Sequence, residues 1–298
     1  MVEQILVRYG ELALKSAPVR REFEGTLRRN ILDQFVRAGL TGRLRADHGH
    51  LYVEVDDGAG ASRVLRRVFG ITSFSSVHEV PSDAAAIRAR LLELADPRLT
   101  PGRSFAVRAR RTGGPHPFTS QQLAGDLGGA VLERFADRNL RVDLEHPEIE
   151  LAVEVRGPRT YLSFDRIAGP GGLPLGVAGR LVALVDGPRG ALGAYLMMKR
   201  GCRVGLVAPP SGERFARDVL GRFDPGARIV TVETAASTQA VADLSAELRA
   251  EGVVLPIPVD AYPSARAAWG ERVLFSPTVG FTDAEVDERW QNAVRLTE

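Results

Sequence analysis

Apolar and polar positions alternate along the first eighty residues in a way that sets out five or six short elements. Residues 3–8, EQILVR, predict a strand. In residues 18–39, PVRREFEGTLRRNILDQFVRAG, Phe23, Leu27, Ile31 and Phe35 recur at four-residue spacing, while Arg20, Arg21, Arg28, Arg29 and Arg37 take other faces. That is an amphipathic helix, with Gly39 at its end. LRADHGHLYVEV reads as two alternating strands around Asp47-His48-Gly49. A helix over about 61–69 and a strand near 73–78 complete a β-α-β-β-α-β order, the ferredoxin-like arrangement, and define an expected first domain over 1–78.

A second domain is expected over 79–168. It opens with a helix near 84–95, followed by a strand over RSFAVRARR (103–111). Thr119 and Gln122 then have capping-box spacing, which starts a helix running to about Arg138. IELAVEVRG and TYLSFDRI predict a hairpin around Gly157-Pro158. GPGGLPLGVAG, residues 169–179, holds five glycines and two prolines and reads as a linker. Beyond it, over 180–298, LVALV, CRVGLVA, RIVTVE and GVVLPIPV alternate with helices near 191–200, 214–222 and 237–250. Strand-helix alternation implies a parallel sheet. TDAEVDERWQNAVRL ends the chain as a helix capped by Thr282 or Asp283, with its acids favouring the helix dipole. The fold class is α+β followed by α/β.

Composition removes several classes. No run of about 18 apolar residues is present, so no membrane span is expected. Glu3, Arg8 and Glu11 interrupt what would be the apolar core of an export signal, which points to a cytoplasmic protein. A single cysteine, Cys202, excludes an internal disulfide and any multi-cysteine metal site, and it reads as a small buried residue. Asp47, His48 and His50 flank one turn without a further ligand nearby, so no metal is expected. Asp143, Glu145 and Glu148 read as a solvated loop rather than paired catalytic carboxylates, and Gly125 and Gly129 as helix packing. Net charge is only +2, yet all but two of the 39 basic residues, Lys15 and Lys199, are arginine. GC-rich coding accounts for such a bias, although arginine's planar fork also suits phosphate.

Charge clusters at one place. Arg103, Arg108, Arg110 and Arg111 crowd a strand and its exit, and alternation puts Arg108 and Arg110 on one face. The following PHPFTSQQ adds Phe118, the hydroxyls of Thr119 and Ser120, and a helix N-terminus. These are the components of a clamp for single-stranded nucleic acid; they also describe a solvated basic strand edge that resists aggregation. A second place is the turn Asp186-Gly187-Pro188-Arg189-Gly190, between an apolar run and a helix. Phosphate commonly sits at such turns, through backbone N–H groups. Here Pro188 lacks an N–H and Asp186 repels anions, while Arg189 attracts them.

Three stretches resemble one family. RYGELALKSAPVRREFEGTLRRNI is similar to the opening of the tRNA 4-thiouridine synthetases, or tRNA sulfurtransferases. RARR…PFTSQQLAGDLGGAVLERF…RVDLEHPEIELAVEVR resembles their THUMP domain. GPGGLPLGVAGRLVALV…AYLMMKRG resembles the approach to their PP-loop, or ATP-pyrophosphatase, domain. The resemblance covers about residues 1 to 207. It implies a ferredoxin-like N-terminal domain, then a THUMP domain that grips the acceptor end of tRNA, then a Rossmann-like PP-loop domain. The candidate RNA-binding residues are Lys15, Arg21, Arg108, Arg110, Arg111, Phe118, Thr119, Ser120 and Gln121.

The same resemblance aligns the family's Ser-Gly-Gly-x-Asp-Ser loop with Val185-Asp186-Gly187-Pro188-Arg189-Gly190, where one glycine alone survives. The cysteine that serves sulfur transfer in the family has no counterpart, and the segment carrying its Thr-Gly-Glu and Ala-Ser-Gln-Thr motifs is missing. Similarity returns weakly at Pro277-Thr-Val-Gly280…Asp283. The expectation is a tRNA-binding protein with a truncated, degenerate PP-loop domain, no catalytic residues and no ATP or other cofactor. Its expected partners are tRNA and a second copy of itself, or an active paralogue in a heterodimer. The alternatives are an active sulfurtransferase with a rebuilt site, and a scaffold that has lost its RNA affinity as well.

Overall fold

A computed structural model describes residues 3–10, 16–47 and 50–298. The chain forms two compact units: one joins Glu3–Leu6 to Ser75–Ile167, and the other joins Val7–Phe74 to Ala168–Glu298. Among the described residues, no helix is long and apolar enough to cross a membrane.

The N-terminal elements are β1 (Glu3–Tyr9), α1 (Ala17–Arg37), β2 (Gly42–Asp47), β3 (His50–Val55), α2 (Gly58–Leu65) and β4 (Ile71–Pro81). They follow the ferredoxin-like order, with strands in the sequence β2-β3-β1-β4. The pairing of β2 with β3 is antiparallel from Gly42↔Val55 to Asp47↔His50, as the alternation predicts; His48 lies outside the described residues. Helix α2 starts earlier than its apolar pattern suggests, because the Asp57 carboxylate accepts from Gly60 N at 2.8 Å and caps it.

Helix α1 buries Leu27, Ile31 and Phe35, as expected from the apolar spacing. It also buries a second row, Thr26, Asn30 and Gln34. Two of these amides reach far along the chain: Asn30 Nδ2 donates to Leu175 O at 3.0 Å, and Gln34 Nε2 to Phe223 O at 2.9 Å. Gln34 Oε1 accepts from Arg67 Nε at 3.1 Å. Beside them Phe69, Tyr195 and Phe223 form an aromatic trio with centroids 5.2–5.4 Å apart. All three are buried.

The other unit adds α3 (Ala84–Ala95), β5 (Ser104–Thr112), α4 (Ser120–Arg134), β6 (Arg141–Val142), β7 (Ile149–Arg156), β8 (Arg159–Ser163) and β9 (Ile167–Ala168). Its strand order is β4-β8-β7-β5-β6. Strand β5 runs parallel to β7 from Phe105↔Ile149 to Thr112↔Arg156, whereas β6 covers only Ser104 and Phe105. The outer half of β5 is therefore a sheet edge. Its core gathers Leu91, Phe105, Leu127, Val131, Leu151 and Val153.

The stretch 169–179 is a bonded strap. Gly169 N donates to Thr72 O, Gly171 N to Ile71 O and Leu173 N to Lys199 O, while Gly70 N donates back to Gly171 O. Gly172, at φ 74°, lies so close to Lys199 that a Cβ would stand 2.1 Å from its carbonyl oxygen. Glycine is there for close packing, not for slack.

The last part holds β10 (Arg180–Leu184), α5 (Pro188–Lys199), β11 (Arg203–Ala208), a π-helical turn over Phe215–Leu220 leading into α6 (Gly221–Phe223), β12 (Ile229–Thr231), α7 (Ser237–Leu248), β13 (Gly252–Val254), α8 (Tyr262–Trp269), β14 (Leu274–Phe275) and α9 (Asp283–Arg295). Its sheet is parallel throughout, in the order β12-β11-β10-β13-β14. The chain thus builds outward from β10 in one direction and then crosses to its other side, a topological switch point. Helix α8 and strand β14 were not expected from sequence, and α5 begins at Pro188 rather than Ala191, since proline is tolerated at a first helical position.

The reading of Gly125 and Gly129 as helix-packing residues is corrected. Gly125, Gly128 and Gly129 lie on α4, and a Cβ at any of them meets nothing within 4 Å. They cost helix stability with no packing in return. Gly125→Ala and Gly129→Ala are expected to stabilise the protein by about 1 kcal/mol each. Gln34→Ala strands the Phe223 carbonyl and Arg67 Nε and is expected to cost about 1–3 kcal/mol. Urea denaturation of the three variants checks both signs.

Candidate nucleic-acid interface

On β5 the exposure pattern follows the predicted alternation: Val107 is buried, and Arg108 and Arg110 are exposed. The arginines do different work. Arg103 pairs with Glu148 at 2.6 Å, and the Glu148 carboxylate also accepts from Ser104 N; these contacts hold it below the usual carboxylate range. Arg108 donates to Leu144 O and faces Glu150 across 3.6 Å. Arg110 forms no ion pair or hydrogen bond with any described residue. Its charge is the unengaged one on the strand.

Arg111 turns back on its own loop. Its Nη1 donates to Phe118 O at 2.6 Å and to His116 O at 3.3 Å. Phe118 is half-buried against the core of this unit, and the His116 ring stacks on it at 5.7 Å between centroids and 18° between planes. Directly after Phe118, Thr119 caps α4: its hydroxyl accepts from Gln122 N at 3.1 Å, and its own N–H donates to Gln122 Oε1 at 2.8 Å. The predicted capping box is present. It leaves the N–H groups of Ser120 and Gln121 as the open donors of the helix.

The structure thus brings together Arg108, Arg110, Arg111, Phe118, Thr119, Ser120 and Gln121 on one strand exit and one helix start. Arg21 lies exposed on α1, in the other unit, with no ion pair to a described residue. Lys15 lies outside the described residues. Sequence reasoning missed His116. Its signal was the spacing PHPF: a residue before proline is driven to extended backbone, where side chains two apart share a side. The acidic loop is structural, as Asp143 Oδ1 accepts from the N–H groups of Glu145 and His146, which lowers its carboxyl.

The turn after β10 is tightly built. Val185, directly after the central strand β10, is fully buried in the core. A Cβ on Gly190 would stand 2.5 Å from Leu184 O, so no larger residue fits there. Desolvation raises the Asp186 carboxyl above the ordinary carboxylate range. Arg189 extends across to the loop after β14, donating to Thr278 O at 2.7 Å, Phe281 O at 2.9 Å and Asp283 Oδ1 at 2.8 Å. The hydroxyls of Ser276 and Thr278 are buried without a partner among the described residues. Cys202 is buried, with its thiol donating to Ala178 O and its pKa raised, chiefly by desolvation.

The model of the ThiI ferredoxin-like domain matches residues 4–75, and that of the THUMP domain residues 81–165. A probable tRNA sulfurtransferase of Methanothermobacter thermautotrophicus is 39% identical over 219 residues, covering 70% of this chain and 54% of that protein. One from Methanocaldococcus jannaschii is 34% identical over 212 residues, covering 68% and 55%. The chain spans about half the length of these curated relatives. The crystal structure of PH1313 from Pyrococcus horikoshii superposes with a TM-score of 0.80 at 26% identity, over 97% of this chain and 99% of that one. A 4-thiouridine synthetase solved with RNA and bound ATP shares the fold at a TM-score of 0.80 and 22% identity, over 100% and 86%.

Arg189 is 19% exposed while its carboxylate partner Asp283 is 95% exposed, so the two ends of this clamp differ in weight. Arg189→Met leaves two carbonyls unpaired and is expected to cost about 2–4 kcal/mol. Asp283→Asn is expected to cost less than about 1 kcal/mol. Denaturant midpoints of the two variants make the comparison.

Proposed function

The chain is a homologue of the tRNA sulfurtransferases that carries a ThiI ferredoxin-like domain followed by a THUMP domain, and from that premise we propose that it binds the 3′ acceptor end of tRNA without itself carrying out thiolation. The observation that carries the reading is the juxtaposition at the exit of β5. An unengaged guanidinium, an aromatic platform and the open N–H groups of a helix start lie within one short stretch. Arg110, with Arg108 beside it, neutralises backbone phosphates. The N-terminus of α4, at Ser120 and Gln121, receives another phosphate oxygen. Phe118 stacks a base, and Arg111 with Thr119 holds Phe118 in place. Lys15 and Arg21 belong to the same function as further phosphate contacts on the first domain.

The C-terminal sheet is read as a non-catalytic domain. Support comes from the turn at 185–190: a buried valine and a sterically fixed glycine stand where a hydroxyl-bearing loop is needed, and Arg189 is engaged with carbonyls rather than open to an anion. The domain then serves as a packing and docking element, in a homodimer or beside a catalytically complete relative. One observation favours a second reading, an active enzyme with a rebuilt site. The unpartnered hydroxyls of Ser276 and Thr278 lie at the end of the sheet where α/β proteins take ligands.

Titration of labelled tRNA against the same tRNA trimmed of its 3′ CCA, at two salt concentrations, tests the RNA reading. Binding is expected to prefer the intact end and to weaken with salt. Phe118→Ala is expected to remove about 1–3 kcal/mol of that preference. Arg110→Ala is expected to lower affinity for both RNAs and reduce the salt slope by about 0.7. Equal binding of both RNAs overturns the end-binding reading. A rise in melting temperature with ATP overturns the non-catalytic one.

A further inference from the structure

The platform that would receive the base is already covered. Phe118 packs against the core of its unit and is half-buried, and the His116 ring stacks on it at 5.7 Å and 18°, the offset geometry that a nucleobase adopts on an aromatic side chain. A planar heterocycle stands where the incoming planar heterocycle belongs. Building on the reading that Phe118 stacks a terminal base, we infer that His116 is a placeholder on this platform, displaced when the 3′ end of an RNA binds.

Three features of the loop support displacement over a joint stack. His116 Nε2 is buried without a partner among the described residues, so the stacked position leaves a strong polar group uncompensated. Rotation of the ring outward returns that nitrogen to water or offers it to a phosphate. The backbone on either side of the ring is held independently of it: Arg111 grips the carbonyls of both His116 and Phe118, and the capping box fixes Thr119. Only side-chain torsions of His116 need to change. The stretch before it bends at Gly113 and Gly114, with φ of 83° and 126°, so the loop reaches its position through glycine backbone rather than through anything the ring supplies.

A covered platform lowers affinity by the fraction of molecules in which it is open. Removing the cover therefore tightens binding by the inverse of that fraction. His116→Ala is expected to bind tRNA with an intact 3′ CCA about 3- to 10-fold more tightly, while binding of trimmed tRNA stays the same. With Phe118→Ala added, the gain disappears. A second measurement reads the ring directly. In the free wild-type chain, the His116 ring protons are shifted upfield by Phe118, and intact tRNA is expected to move them to the position of a solvent-exposed histidine. Trimmed tRNA leaves them in place. Weaker or unchanged binding by His116→Ala, or ring protons that remain upfield in the complex, overturns the placeholder. Where the wild type prefers the intact end and His116→Ala does not strengthen that preference, this inference falls and the end-binding reading stands. Where the wild type shows no preference, both fall.

Discussion

Helix α1 has two buried faces, and the second of them holds the larger unit together. One face is the apolar stripe that covers its own sheet. The other is the row Thr26, Asn30 and Gln34, whose amides donate to carbonyls at Leu175 and Phe223. Because the chain leaves this unit after Phe74 and returns only at Ala168, its two segments must find each other across a long excursion. The trio Phe69, Tyr195 and Phe223 supplies apolar burial at the junction, and the amides supply direction. An apolar contact alone tolerates sliding; a side-chain amide seated on one particular carbonyl does not. Buried Asp224, next to Phe223, pairs with the half-exposed Arg203 and holds the same turn.

The inserted segment presents its candidate site for a different reason. Strand β6 is only two residues long, so β5 is interior at Ser104 and Phe105 and becomes an edge beyond them. Charged side chains on such an edge discourage pairing with another strand. They also place guanidinium groups beside a loop that a helix cap makes rigid. Arg111 and the Thr119 box together over-determine the backbone around Phe118, which is what a stacking platform needs if it is to hold its orientation without a ligand.

What the sequence disclosed follows from how locally each feature is determined. The capping box at Thr119 requires two residues three apart and was legible, as were the apolar stripe of α1 and the alternation of β7; for the last helix the cap was legible only as Thr282 or Asp283, and the structure takes Thr282. Asn30 and Gln34 carried no legible signal, because their partners lie 145 and 189 residues away and an amide on a helix looks the same whether solvated or buried. Helix α8 buries Trp269 alone, and β14 has two residues, so neither imprints a period. The strap over 169–179 misled through composition: glycine and proline describe loose chain and close packing equally, and contacts at Gly172 decide for packing. At the candidate site the residues were legible but not their division of labour. Nothing in RARR says that Arg111 folds back onto two carbonyls while Arg110 stays open.

That division bears on the arginine content as a whole. A guanidinium presents several donors in a rigid fork, so one side chain can hold two carbonyls at once, which an ammonium on a flexible stem does less well. This chain uses that property repeatedly. Arg111 spans His116 and Phe118, Arg138 spans Asp96 and Leu99, and Arg189 spans Thr278 and Phe281. Each ties a loop to a neighbouring element, and each commits part of a donor fork that would otherwise be open to phosphate. A count of basic residues therefore overstates the surface open to RNA. The relevant quantity is the number of guanidinium groups whose donors have no internal acceptor, and along residues 103–111 that reduces four arginines to Arg110, with Arg103 paired to Glu148 and Arg108 partly balanced by Glu150. On the proposed reading, an RNA interface with so few free charges draws more of its affinity from stacking and helix-terminal N–H groups than from counterion release. That places the weight of recognition on Phe118 and on whatever covers it.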